Sequence, residues 1–132
     1  MAEKKDDLIK IVGKENVLDD EATLDTYSRD HSFVQPRKPK LVVKPKNVDE
    51  VQAIVKWANQ TGTPLVPVSS SPPRFNGDTV PSAGGAVIID LSRMKKIVHI
   101  DRRGRMIIIE PGVTYSELQP ELAKNDLRLT TP

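Results

Sequence analysis

Between Pro39 and Val68 the chain spells strand, helix, strand, and this order limits the fold more than any other feature. Leu41, Val42 and Val43 form an apolar run between Pro39 and Pro45, long enough for a short strand. Asn47 then stands at an N-cap position with Glu50 three residues on, the spacing of a capping box. Val48, Val51, Ile54, Val55 and Ala58 recur at three and four residues, which predicts a helix with Val51, Ile54, Val55 and Ala58 on its buried face. Gly62 ends that helix, Pro64 follows, and Leu65–Val68 is the next apolar run. A helix between two strands crosses over the sheet, so the strands are expected to run parallel, joined by a right-handed crossover.

Local signals extend the reading to both sides. Lys4–Val12 places Leu8, Ile11 and Val12 on one helical face, with Gly13 at the position of a C′ glycine. A short helix is expected over Asp20–Tyr27, with Leu24 and Tyr27 as its apolar contacts, followed by a proline-containing crossing loop over His31–Pro39. Ser69–Gly85 is a long loop of Ser, Pro, Gly, Asn and Asp; in a compact domain such loops are functional or disordered. Ala86–Asp90 is a third buried strand, and Leu91–Lys95 one helical turn. Ile97–Ile100 and Met106–Glu110, joined through Asp101-Arg102-Arg103-Gly104, form a β-hairpin in which Ile107 and Ile109 face opposite to Met106 and Ile108. Thr114 and Glu117 make a second capping box, with Val113 and Leu118 at the positions of a hydrophobic staple and Leu118 and Leu122 on one face. Pro120 is expected to kink or restart this helix, and Leu127–Thr130 to open another strand.

Composition excludes several function classes. A chain of 132 residues is one domain or a piece of one. With 4% aromatic residues, its core must be aliphatic. The absence of cysteine rules out disulfides, thiolate zinc sites, iron–sulfur ligation and a thiol nucleophile within this sequence, and suits the cytosol. The charged start Met1–Asp7, and the lack of any stretch near the ~20 apolar residues of a membrane span, lead to a soluble, cytoplasmic expectation. A net charge of +2 is too mild to call for nucleic acid, and no RNA-binding sheet motif is present. Arg37, Lys38, Lys40, Lys44 and Lys46 read as an edge strand blunted by lysines, or else as a contact for an anionic partner. His31 and His99 stand alone, without metal-ligand spacing, and Trp57 reads as a packing residue. Ser69, Ser70 and Ser71 lack the flanking glycines of a hydrolase elbow. No catalytic acid, base or metal ligand is named.

The run Gly84-Gly85-Ala86-Val87-Ile88-Ile89-Asp90-Leu91-Ser92-Arg93-Met94-Lys95-Lys96-Ile97 carries a family resemblance. Ile109-Glu110-Pro111-Gly112-Val113-Thr114 and Glu117-Leu118 continue it, and Pro39, Lys44, Pro45, Glu50, Val51 and Pro64–Val68 fit upstream. Over about residues 24–132 the ordered set resembles FAD-linked oxidases of the vanillyl-alcohol-oxidase or p-cresol methylhydroxylase (PCMH) type, such as glycolate oxidase flavoprotein subunits and D-lactate dehydrogenases. The resemblance implies an α+β fold: the first subdomain of a PCMH-type FAD-binding domain, a small parallel βαβ sheet plus a β-hairpin flanked by helices. It implies FAD held between two subdomains, with the pyrophosphate in the loop after the second strand, and oxidation of a 2-hydroxy acid or similar small alcohol. The expected cofactor-binding residues are then Pro67, Val68, Ser69, Ser70, Ser71, Pro72, Arg74 and Gly77, with Pro111 and Gly112. The expected division is a helical segment at 1–30, the first FAD-binding subdomain at 31–112 and the start of an incomplete second one at 113–132.

One departure bears on the cofactor. The family's loop is glycine-rich, which lets backbone N–H groups approach phosphates; here it reads Ser-Ser-Ser-Pro-Pro-Arg. Serines donate through backbone and hydroxyl, prolines through neither. FAD binding by this chain alone is therefore expected to be weak or absent, and turnover incomplete. The expected partners are a flavin nucleotide, a missing second subdomain or partner subunit, and a second copy of the chain. Two alternatives stand beside this reading: a non-catalytic nucleotide-binding or adaptor module, and a degenerate truncated fragment without ligand.

Overall fold

The computed structural model describes residues 2–69 and 72–130, with Ala2 and Glu3 described by backbone alone. In chain order the elements are α1 (Ala2–Val12), a 3-10 turn (Lys14–Asn16), β1 (Val17–Leu18), α2 (Glu21–Thr26), β2 (Leu41–Val43), α3 (Val48–Thr61) and β3 (Leu65–Val68). They continue with β4 (Val87–Asp90), β5 (Ile97–Asp101), β6 (Met106–Ile109) and α4 (Tyr115–Ala123).

The first sheet has the order β1-β2-β4-β3. β2 and β3 each pair parallel with β4, so the strands of the βαβ unit are parallel but not neighbours. β1 pairs antiparallel with β2 through Val17–Val43 and Leu18–Val42. β2 is thus an interior strand, buried at all three residues, and the reading of a lysine-blunted edge fails. The cations sit at the strand's ends instead, where they meet acids: Lys38 pairs with Glu21, and Lys46 Nζ lies 3.9 Å from Glu50. A two-residue strand such as β1 is too short to show in any periodicity.

Alternation along the strands divides the core in two. Leu41, Val43, Val87 and Ile89 face Leu8 and Val12 of α1 and Ile54, Trp57 and Ala58 of α3. Val42, Ile88 and Val68 face Leu24 of α2, with Leu18, Tyr27 and Val66 packed against them.

α3 starts where its cap predicts: Asn47 Oδ1 accepts from the Glu50 N–H at 2.9 Å. The Glu50 carboxylate accepts from the Lys46 N–H at 2.7 Å, one residue before the position a full capping box would use. Gly62 ends the helix with φ of 62°. The buried face differs from expectation. Val55 is 41% exposed, while Trp57 is buried. At about 100° per residue, Ile54, Ala58 and Trp57 centre the stripe, and Val48 and Val55 fall on its flank.

β5 and β6 form a separate two-stranded antiparallel sheet with an irregularity between Ile97 and His99. Met106 and Ile108 point to solvent and Ile107 and Ile109 inward, as the alternation predicts. Within the turn the left-handed residue is Arg105, φ 53°, while the Gly104 N–H donates to Asp101 Oδ1 at 2.8 Å. Leu91–Lys95 is not helical; it makes a turn closed by Met94 N–H to Leu91 O at 3.0 Å. α4 opens with the full Thr114–Glu117 capping box and runs unbroken through Pro120. The donor that Pro120 lacks would have reached Ser116 O, and both residues lie on the exposed side of the helix. Asp126, φ 55°, then turns the chain. Leu127–Thr130 forms no strand among the described residues, because no neighbouring strand offers it a ladder. Among the described residues no helix is long and apolar enough to cross a membrane.

Candidate functional site

Because β2, β3 and β4 are parallel, their carboxyl ends lie at one edge of the sheet, where α/β folds gather ligands. A cavity of about 220 Å³ opens there, lined by Pro67, Val68 and Ser69 from the end of β3, by Arg74, and by Asn76 and Asp78 of the following loop. Four of the expected binding residues, Pro67, Val68, Ser69 and Arg74, therefore come together. Ser70 and Ser71 lie outside the described residues. Pro72 is exposed beside the cavity's Pro73.

The loop is docked on the segment that follows α2. The His31 N–H donates to Arg74 O at 2.8 Å, and the His31 ring stacks on Phe75 with centroids 5.3 Å apart. Asp30 accepts from Ser32 N–H at 2.9 Å, from the Ser32 hydroxyl at 2.5 Å and from the Gly77 N–H at 2.6 Å. These bonds, the Ser32 hydroxyl first, hold the Asp30 carboxyl below its ordinary range. Gly77 has φ of 76°, and a Cβ there would come within 2.4 Å of Val34. Its N–H is turned to Asp30, so Gly77 shapes the loop.

Gly112 has a different setting. A Cβ would lie 2.7–2.8 Å from the carbonyl oxygens of Leu91, Ser92 and Met94, and its N–H donates to Met94 O at 2.8 Å. Gly112 seats the end of the hairpin on the turn after β4; neither it nor the exposed Pro111 lines the 220 Å³ cavity.

Behind the cavity lies a polar cluster that sequence reasoning missed. Asp90, at the end of β4, is only 3% exposed. Its Oδ2 accepts the Tyr27 hydroxyl, its Oδ1 accepts the Ser92 N–H at 2.9 Å, and Lys44 Nζ stands 3.9 Å away. Arg74 lies over the Tyr27 ring, its Cζ 5.1 Å from the centroid. Burial, reinforced by the hydrogen bond and charge of Asp90, pushes the Tyr27 phenol well above its ordinary value, and Arg74 opposes the shift. The one sequence signal was an acid ending an apolar strand, Val-Ile-Ile-Asp.

A wider cavity of about 520 Å³ occupies the opposite edge, near the amino ends of the strands, with Lys4, Lys40, Trp57, Gly84 and Gly85 among its walls. Trp57 is a packing residue, as expected, and its Nε1 has no partner among the described residues.

The sequence profile of the FAD binding domain matches residues 39–132. This chain belongs to that family. An uncharacterised FAD-linked oxidoreductase of Mycobacterium tuberculosis is 30% identical over 122 residues, which is 92% of this chain and 26% of that protein. D-2-hydroxyglutarate dehydrogenase of Stutzerimonas stutzeri is 32% identical over 114 residues, 86% of this chain and 24% of the enzyme. The crystal structure of p-cresol methylhydroxylase with substrate bound superposes with a TM-score of 0.85 at 28% identity, covering 96% of this chain and 25% of that one. The chain thus spans about a quarter of the length of the relatives it matches. The fold of this FAD-binding family member is the α+β arrangement of the PCMH type, and FAD is the cofactor of the intact family.

Proposed function

We propose that the chain is the FAD-binding portion of an FAD-linked oxidoreductase that acts on a 2-hydroxy acid or a similar small alcohol. The observation that carries the reading is the polar cavity at the carboxyl ends of the parallel strands, inside the span of the family match. The similarity to D-2-hydroxyglutarate dehydrogenase supports the substrate class.

The residues present fit part of the cofactor. A cavity of about 220 Å³ suits a pyrophosphate rather than a whole dinucleotide. Arg74 supplies a planar cation matched to phosphate oxygens, and Ser69 a hydroxyl and an N–H. Pro67 and Val68 form the wall, Pro72 follows in the same loop, and Gly77 holds its shape; Ser70 and Ser71, between Ser69 and Pro72 in sequence, remain candidates to bind the phosphates. Pro111 and Gly112 stand outside this cavity, so a contact of theirs with the cofactor would involve a part other than the pyrophosphate. FAD, when bound, accepts the hydride; this chain holds and orients its phosphates. Residues 1–30 and 31–112 support that task, and 113–132 lead into a second subdomain.

The other wall of the site comes from that second subdomain or a partner subunit. In its absence the exposed Val98, Met106 and Ile108 of the hairpin favour self-association, the chain remaining a cytoplasmic protein. A second reading, a nucleotide-binding or adaptor module without turnover, is favoured by the Gly77 N–H being occupied by Asp30 and by the two prolines of the loop.

Calorimetry with FAD and ADP on the 132-residue protein tests the proposal. The expected Kd is roughly tens of micromolar, about −6 to −7 kcal/mol. Arg74→Glu should abolish measurable binding, and no 2-hydroxy acid should be turned over with an artificial acceptor. Unchanged affinity in Arg74→Glu would move the site elsewhere, and nanomolar FAD binding would show that no wall is missing.

A further inference from the structure

We propose that Tyr27, fixed by Asp90, is the positioning residue that holds Arg74 at the phosphate cavity; the inference rests on the phosphate-binding reading of that cavity. Arg74 belongs to a loop rich in serine, proline and glycine, a kind of segment more mobile than the elements it connects. It nevertheless stands over an aromatic ring, with its Cζ 5.1 Å from the Tyr27 centroid, and lines the cavity on which Ser69 also opens. A guanidinium set against a ring face keeps its donors in its own plane, the arrangement that meets a phosphate with two parallel hydrogen bonds.

The ring is itself anchored to the most rigid part of the molecule. Tyr27 caps α2, and its hydroxyl donates to Asp90, 63 residues away in sequence. Asp90 is the last residue of the central strand β4, and its second oxygen is held by the Ser92 N–H. The line from sheet to loop therefore runs β4, Asp90, Tyr27, Arg74. The His31 N–H bond to Arg74 O ties the loop backbone to the same segment of chain.

The cluster also solves an electrostatic difficulty. A bare carboxylate at the carboxyl edge of the sheet would repel the phosphate. Asp90 is screened by the Tyr27 hydroxyl and by Lys44 at 3.9 Å, so it adds no bare charge to a cavity lined by Arg74 and Asp78. Tyr27 and Arg74 are thus expected to act as one unit, which separates positioning from a general loss of stability.

The test is calorimetry of the full chain with ADP and inorganic pyrophosphate, with thermal melts to confirm folding. Arg74→Ala and Arg74→Lys should each weaken binding by about tenfold, because lysine keeps the charge and loses the planar fork. Tyr27→Leu should weaken it about five- to tenfold, and Tyr27→Phe, which keeps the ring, about twofold or less. Tyr27→Leu added to Arg74→Ala should cause no further loss. Wild-type affinity in Arg74→Lys, or additive losses in the double variant, would overturn the positioning role and leave the phosphate site in place. Wild-type affinity in Arg74→Ala would overturn both. If Tyr27→Leu does not fold, Arg74→Lys decides the question.

Discussion

β4 and β6 are close in sequence, Val-Ile-Ile-Asp against Met-Ile-Ile-Ile, and opposite in environment. All four residues of β4 are buried, including the aspartate. In β6 none is buried, and every second residue is open to solvent although all four are apolar. β4 has a parallel strand on each side and packed side chains on both faces. β6 has one neighbour and one covered face. Burial is therefore decided by what surrounds a strand and not by its own polarity. Asp90, the one ionisable residue of the eight, is tolerated in the interior because Tyr27 and Ser92 satisfy its oxygens.

The contrast is open to direct attack. Ile88→Ala, at a fully buried site in the central strand, should cost about 2–5 kcal/mol in urea melts. Ile108→Ala, at a site 57% exposed on the hairpin, should cost no more than about 0.5 kcal/mol. Equal losses would mean that the outer face of the hairpin is covered in solution by a second copy, which a concentration-dependent melting temperature would then reveal. The next effect is expected at the end of β4. Asp90→Ala removes the acceptor of a half-buried tyrosine hydroxyl and should destabilise by about 2–3 kcal/mol, and Asp90→Asn by less, since the amide oxygen still accepts. A neutral Asp90→Ala would show that the acid is carried by the sheet without holding it. Asn47→Ala, which strips one cap bond from α3, should cost about 1 kcal/mol in the same melts.

The smallest effect concerns the join between the hairpin and α4. The Lys95 ammonium, 2.8 Å away, and the Thr114 N–H and hydroxyl hold the Glu117 carboxyl at about 2, against an ordinary 4.5. A carboxyl depressed in the folded state stabilises fully above its unfolded value. That contribution is lost as pH falls from about 4.5 through about 2. Glu117 is exposed, so solvent weakens the tie. A carbon-13 titration of the side chain should give a midpoint near 2, moving toward 4.5 in Lys95→Met. A midpoint near 4.5 in the unaltered protein would mean that α4 is held to the hairpin by its apolar face alone.

What could be read beforehand is what neighbouring residues decide among themselves. The caps at Asn47 and Thr114, the stop at Gly62, the three apolar strand runs and the alternation of β6 each depend on groups a few residues apart, and each stands where the pattern places it. The loop after β3 was legible for the same reason, since it follows a strand of a parallel unit and carries polar, turn-forming residues. Local pattern went wrong where it had to choose the centre of a stripe, counting Val55 in and leaving Trp57 at its margin, and where it read a helical turn at Leu91–Lys95 and a strand at Leu127–Thr130. Closure over long separations left no local mark. The insertion of β4 between β2 and β3, the two-residue strand β1, the Asp30 bond to Gly77 across 47 residues and the Tyr27 bond to Asp90 across 63 exist only once the sheet has assembled. Short-range hydrogen bonds and periodicity chose the elements, because their partners lie within one or two turns of chain. The order of the strands and the polar cluster behind Arg74 were chosen by packing and by the cost of leaving a buried carboxylate unpaired, which no single stretch of sequence contains.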